Sequence, residues 1–183
     1  MNSFKNKELT FFDSYILDNE SNVEVMMEWE APIMEKCAKY ICQNGGDILE
    51  IGFGMGICAD YIQAESINSH TIVEIHPEII AKANEWASGK DNVTIVEGDW
   101  YNTNLSTYDG IFIDTYGDEN VKEFKEFSLS KIKDSGLITY WNNHSEPLNE
   151  LEFENITFEE VAVNPVENRY FNNSVYYMPK VVK

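Results

Sequence analysis

The run DILEIGFGMG at residues 47–56 carries an apolar stretch into three glycines, Gly52, Gly54 and Gly56. A short apolar run bounded by glycines reads as a buried strand. Ile57, Cys58, Tyr61 and Ile62 give the following segment one apolar face, which reads as a helix. In a strand-to-helix turn, glycines adopt positive φ and let a ligand touch the backbone. A tight turn with no ligand explains the same glycines, so the rest of the chain must decide.

The strand-helix pattern repeats. HTIVEIHP (70–77) reads as a second strand, followed by a helix with Ile79, Ile80, Ala83 and Trp86 inward. NVTIVEGDW (92–100) reads as a third strand and turn, and YDGIFIDTYGDEN (108–120) as a fourth strand with a polar end. The next helix turns Val121, Phe124, Leu129 and Ile132 inward, Ser135-Gly136 is a turn, and LITYW (137–141) is a fifth strand. Upstream, Ile33, Met34, Cys37 and Ile41 recur at helical spacing until NGG at 44–46 stops the helix. NITFEEVAVNP and RYFNNSVYYMPKVV alternate like antiparallel strands. The expected fold is α/β: a doubly wound, mostly parallel seven-stranded sheet with a C-terminal antiparallel hairpin, in a single domain over 25–183. Residues 1–24 are polar, with Phe4, Phe11, Phe12, Tyr15 and Ile16 interspersed, and read as an N-terminal tail or lid.

The formal net charge is −19, a field that repels nucleic acid and anionic membranes and favours a cationic substrate, although solubility alone explains such a charge. Cys37, Cys42 and Cys58 have no metal-ligand spacing and the histidines are scattered, so no metal is expected. The N-terminal segment lacks a continuous apolar stretch and no run approaches a membrane span, so a cytoplasmic protein is expected. A homodimer stays open.

Acids stand at the predicted strand ends. Glu74 lies where ribose hydroxyls are bound in doubly wound folds; the bland alternative is a solvated acid. Asp99 and Trp100 follow the third strand, at a turn suited to an adenine. Asp114 ends the fourth, where it can bind a cationic nucleophile or take its proton; the bland role of helix cap suits Gly117 or Asp118 better. In VMMEWEAP (25–32), Glu28 and Glu30 flank Trp29 ahead of Pro32, a residue suited to a first helical turn. Acids favour that end of a helix, but Glu30 can also face a cationic ligand beside Trp29.

Glu50 and the three glycines form an acid-x-G-x-G-x-G pattern that resembles the first motif of class I S-adenosylmethionine-dependent methyltransferases. Ile57 breaks the G-x-G-x-x-G spacing of nicotinamide oxidoreductases. The ordered set VMMEWEAPIM, ILEIGFGMG, VEIHP, GDW, YDGIFIDTY, GLITYWN and RYF resembles the guanidinoacetate N-methyltransferase family from Val25 to the C-terminus. That resemblance implies S-adenosylmethionine as cofactor, S-adenosylhomocysteine as its product, and methylation of a guanidino nitrogen, with guanidinoacetate converted to creatine as the first expectation. By position it implies that Glu30 and Asp114 grip the guanidinium, with Asp114 as base. Met26 and Met34 lie beside the ligands. Glu50, Ile51, Gly52, Phe53, Gly54 and Met55 form the cofactor loop, Glu74, Ile75 and His76 the ribose segment, and Asp99 with Trp100 the adenine segment. Asn143 and His144 match the turn that receives a substrate carboxylate, and Phe4 an aromatic lid residue.

The chain departs from that pattern. It is shorter at the N-terminus and after the fifth strand, and the family's CNLTS reads WNNHS, which places Trp141 and His144 at the substrate's far end. Free arginine or a longer guanidino acid therefore stays open, as does a non-catalytic cofactor-binding homologue. A protein arginine methyltransferase, as in a related branch, is disfavoured by the lack of extra docking segments. Arg169 either binds a substrate carboxylate or pairs with nearby acids.

Overall fold

A computed structural model describes residues 3–118 and 120–183. Met1 and Asn2 of the expected tail or lid, and Glu119 of the YDGIFIDTYGDEN run, lie outside the described residues. The segment read as tail or lid is folded. Strands β1 (Leu9–Phe11), β2 (Tyr15–Asp18) and β3 (Val23–Met27) form a small antiparallel sheet. Asp18 makes its second turn: the buried carboxylate accepts the backbone N–H groups of Glu20 and Ser21 through Oδ1, and Asn22 takes a left-handed conformation. Leu9 and Ile16 are buried with Phe4 and Phe53, so the sheet is anchored to the rest of the chain. The division expected at residue 24 falls inside β3.

Helix α1 (Ala31–Cys42) begins with Pro32 in its first turn. Ile33, Met34, Cys37, Ala38 and Ile41 are fully buried along one side of it, the spacing of an amphipathic helix. The helix ends where Gly45 and Gly46 adopt positive φ. The main sheet follows with β4 (Asp47–Ile51), helix α2 (Ile57–Gln63), β5 (Ser69–Glu74), helix α3 (Pro77–Ala87), β6 (Val93–Glu97), β7 (Tyr108–Ile113), helix α4 (Phe124–Lys131), β8 (Ile132–Tyr140), β9 (Ile156–Ala162) and β10 (Val175–Val182). The seven strands stand in the order β6-β5-β4-β7-β8-β10-β9. The first five in that order are parallel, and β10 runs antiparallel to both β8 and β9. The hairpin thus closes one edge, as the alternating sequence predicts.

Successive residues of the central strands enter opposite layers. Ile48 and Phe112 pack with α1 and with Tyr176 and Met178 of β10. Leu49, Ile51, Ile111 and Ile113 pack on the other face with Trp100, Phe124 and Phe153. From β4 the chain crosses to β5 on one side, while β7 lies on the other. The carboxyl ends of β4 and β7 therefore part at a topological switch point, where such sheets bind ligands.

Two boundaries differ from the sequence reading. Ile132 begins β8 rather than closing α4, and Val121 precedes the helix and is exposed. Ser135 and Gly136 do not separate two elements; they lie within β8, where pairing with β7 jumps from Tyr108↔Ile132 to Gly110↔Leu137. Ser135 sits at φ 63°, so the strand bulges without leaving the sheet.

Phe124 is fully buried against Trp100, Tyr140 and Phe153. Phe124→Ala is expected to cost about 3–5 kcal/mol in urea unfolding; a loss below about 1 kcal/mol would mean that this face of the sheet is not packed as described.

Candidate active site

The glycine turn owes its composition to close neighbours. Gly52 lies at φ +90°, and a Cβ there would fall 1.9 Å from the Asp114 carbonyl oxygen. Gly54 lies at φ +54°, with the Met26 sulfur 2.4 Å from where its Cβ would be. The ends of β4 and β7 and the corner after β3 converge on this turn. Beside it opens a cavity whose empty space, open solvent included, is about 680 Å³.

Most residues expected at the cofactor line this cavity: Met26 and Met34, the segments Glu50–Gly54 and Glu74–Ile75, Asp99, Trp100 and Asp114. Phe4 lines it too, packed on His76 and Tyr116. Met55 and His76 are not in the lining. The Met55 N–H points at the Met26 sulfur, and the buried His76 ring bonds the Lys7 carbonyl, so His76 helps hold the N-terminal segment.

The acids at the strand ends are held differently. Glu74 Oε2 accepts the Phe53 N–H, and Oε1 accepts those of Ile75 and His76. Three backbone donors fix this carboxylate and leave about one of its four lone-pair sites for a hydroxyl. Asp99 caps the turn after β6 through the Tyr101 N–H and also accepts the Asn102 and Asn120 side-chain amides. It therefore builds the loop as well as lining the cavity. Trp100 packs edge-on against Phe124 and Phe127 and donates its indole N–H to Asp118, so most of its ring belongs to the core. Glu50 is buried and bonded to His70 Nε2 at 2.8 Å. Gln63 donates to His70 Nδ1, which leaves Nε2 as the hydrogen donor to Glu50. Burial pushes the Glu50 carboxyl above its ordinary range. The sequence reading missed His70, although Glu50 and His70 share a sheet face two registers apart on adjacent strands.

Glu30 is 2% exposed at the start of α1. Its Oε1 accepts the Met27 backbone N–H at 2.7 Å and the Tyr170 hydroxyl at 2.5 Å. Burial, then the charge of Asp114, pushes its carboxyl up to about 8. Asp114 at the end of β7 is pushed up to about 7 by burial and then by the charge of Glu50. Its carboxylate makes no hydrogen bond among the described residues. Two acids raised in this way resist ionising together, and a planar cation would satisfy them. Glu28 is exposed and takes no part.

The far end departs from the sequence expectation. Asn143 and His144 are not brought to the cavity beside Asp114. The His144 N–H is taken by Asn142 Oδ1, and its ring pairs with Glu150. Asn143 accepts the Trp141 indole N–H and lines a separate, open cleft. Arg169 bonds the Asn22 carbonyl and pairs with Glu24 on β3, so it joins two segments rather than waiting for a ligand.

The fold is similar to that of solved structures of other proteins. The N-methyltransferase NodS from Bradyrhizobium japonicum, solved with S-adenosyl-l-homocysteine, aligns with TM-score 0.67 at 12% identity, covering 84% of this chain and 87% of that one. Spermidine synthase from Thermotoga maritima aligns with TM-score 0.67 at 12% identity, covering 96% and 72%. At such identities the likeness is one of fold: a Rossmann-like, class I methyltransferase architecture. The family model for guanidinoacetate N-methyltransferase matches residues 16–178, and the chain belongs to that family. Protein arginine N-methyltransferase 2 of Saccharomyces cerevisiae is 31% identical over 211 residues, 95% of this chain and 51% of that protein. Its namesake in Aspergillus oryzae is 38% identical over 138 residues, 70% of this chain and 33% of that protein. The chain thus spans about half the length of the yeast relative.

A raised carboxyl favours the native state fully only below its unfolded value, and that contribution is lost as pH rises through the folded one. The protein should therefore lose stability from this pair as pH rises from about 4 to about 8. Glu30→Gln should raise the melting temperature relative to wild type at about pH 9 and do so much less at about pH 5. Equal shifts at both would mean that Glu30 is not a strained acid.

Proposed function

We propose that this chain is an S-adenosylmethionine-dependent N-methyltransferase that acts on a guanidino group. The observation that carries the reading is the pair of raised carboxyls, buried Glu30 and half-buried Asp114, of which Asp114 lines the cavity beside the glycine turn. S-adenosylmethionine, when bound, supplies an electrophilic methyl group on a positively charged sulfur. The residues present fit it: a turn open to ligand only because Gly52 and Gly54 carry no Cβ, and Glu74 pre-aimed for ribose hydroxyls.

A guanidinium is planar, carries its donors in a fixed fork, and keeps its protons near neutrality. Its nitrogen is a poor nucleophile until a proton leaves. Glu30 and Asp114 would orient it by charge-assisted hydrogen bonds, and the apolar surroundings strengthen both contacts. Methyl transfer would exchange the cofactor's S–C bond for the new N–C bond and leave S-adenosylhomocysteine, and Asp114 would take the proton that the nitrogen sheds. A carboxyl poised near neutrality suits that acceptor role.

An arginine guanidino group is favoured over guanidinoacetate. The turn expected to take the carboxylate of guanidinoacetate has its His144 N–H filled by Asn142, and no basic residue lines the cavity. The relatives matching 95% of the chain at 30–31% identity carry the name protein arginine N-methyltransferase 2, which points the same way. Formation of creatine is the reading that the same assay rejects or restores.

The test is incubation with S-adenosylmethionine and, separately, guanidinoacetate, free arginine and an arginine-containing peptide, followed by mass spectrometry. A methyl gain on an arginine substrate is expected; product from guanidinoacetate alone would reverse the substrate assignment, and none from any guanidine would reject the activity. Asp114→Asn should lower turnover at least about 100-fold with the fold intact. Turnover near wild type in that variant would remove Asp114 as the base.

A further inference from the structure

Tyr170 lies 140 residues from Glu30 in sequence, yet its hydroxyl meets Glu30 Oε1 at 2.5 Å. That oxygen also accepts the Met27 N–H. A carboxylate oxygen offers two lone pairs, so Oε1 is filled by the protein and Oε2 alone is left. Asp114 keeps both oxygens. We infer that Tyr170 is a positioning residue for methyl transfer: it locks Glu30 so that one oxygen meets the guanidinium, while Asp114 grips it with two. This rests on the guanidino reading above.

The turn that carries Tyr170 is built for a fixed position. Asn168 is nearly buried; its Oδ1 accepts the N–H groups of Tyr170 and Phe171, and its amide donates to the carbonyls of Val166 and Phe171. Arg169 ties the turn to β3 through Asn22 and Glu24. The Tyr170 ring stacks on Trp29 at 5.9 Å, and Trp29 stands next to Glu30 in the chain. Both ends of the Tyr170–Glu30 bond are thus held by backbone and packing before any ligand arrives, which is what orienting a reactive partner requires. Water bonded to Glu30 in place of Tyr170 would leave both oxygens free to rotate among partners.

The titratable groups that face Glu30 are Asp114 and Tyr170, with Tyr176 within electrostatic reach behind them. Losing the Tyr170 donor removes an interaction that favours the ionised carboxylate. In Tyr170→Phe the acid limb of kcat/KM for the arginine peptide should move to higher pH. At neutral pH kcat/KM should fall about 10- to 100-fold, the usual worth of a hydrogen bond to a charged group. In a Glu30→Gln background the same substitution should change little. An unmoved acid limb with an equal loss in both backgrounds would make Tyr170 a mere filler and overturn the inference. If Tyr170→Phe does not fold, 3-fluorotyrosine at position 170, a stronger donor of the same shape, should move the limb to lower pH; no movement overturns the inference. If wild type methylates no guanidine, the functional reading fails, and carbon-13 NMR titration of the Glu30 carboxyl then decides. Its midpoint must shift upward in Tyr170→Phe or downward with 3-fluorotyrosine, and an unshifted midpoint overturns the lock.

Discussion

Glu30 at the start of α1 and Asp114 just after β7 are two acids near enough for the charge of Asp114 to act on Glu30. Burial raises the proton affinity of both, and charge adds to it, Asp114 acting on Glu30 and Glu50 on Asp114. An arrangement of that kind opposes folding at high pH and persists only because packing elsewhere over-determines it. Glu30 is held by the backbone of its own corner and by Tyr170. Asp114 is held by its strand, whose end is hydrogen-bonded to Ile51 and pressed against Gly52. Under the proposed function, the strain in this pair would become affinity for a guanidinium, so an unfavourable feature of the fold would be the source of its selectivity.

The sheet brings these groups together. The switch point between β4 and β7 opens the cavity, and Gly52 lets the two strand ends approach within contact. Glu74 is then fixed by three amides on the same rim. Phe4, ahead of the small N-terminal sheet, lines the same cavity, and β3 of that sheet leads to the corner where Glu30 begins α1. Family membership and fold agree with this arrangement.

Much of the architecture was legible because its signals are local. Apolar runs, helical spacing and glycine stops lie within single segments, and the acids stand at strand ends that those runs define. What was not legible depends on distant partners. The bulge at Ser135 exists because β8 must pair with β7, which no local pattern states. The small sheet rests on strands of only three to five residues, too short for a periodic pattern to stand out. Tyr170 stands within the RYF motif, but its contact with Glu30 needs the turn that Asn168 and Arg169 build. Asn143 and His144 were assigned by position in a family pattern; in the structure Asn142, a residue that reading passed over, occupies the amide that would have bound a carboxylate.

The central claim is that the carboxylate pair exists to bind a planar cation. If so, the empty site holds bound protons near neutrality and gives them up when a guanidinium enters. Calorimetry of an arginine-containing peptide binding to the protein with S-adenosylhomocysteine present, in buffers of differing ionisation heat at about pH 7, counts those protons. The account predicts release of roughly one proton per peptide and an affinity that rises with pH through that range. Binding with no proton release would contradict it.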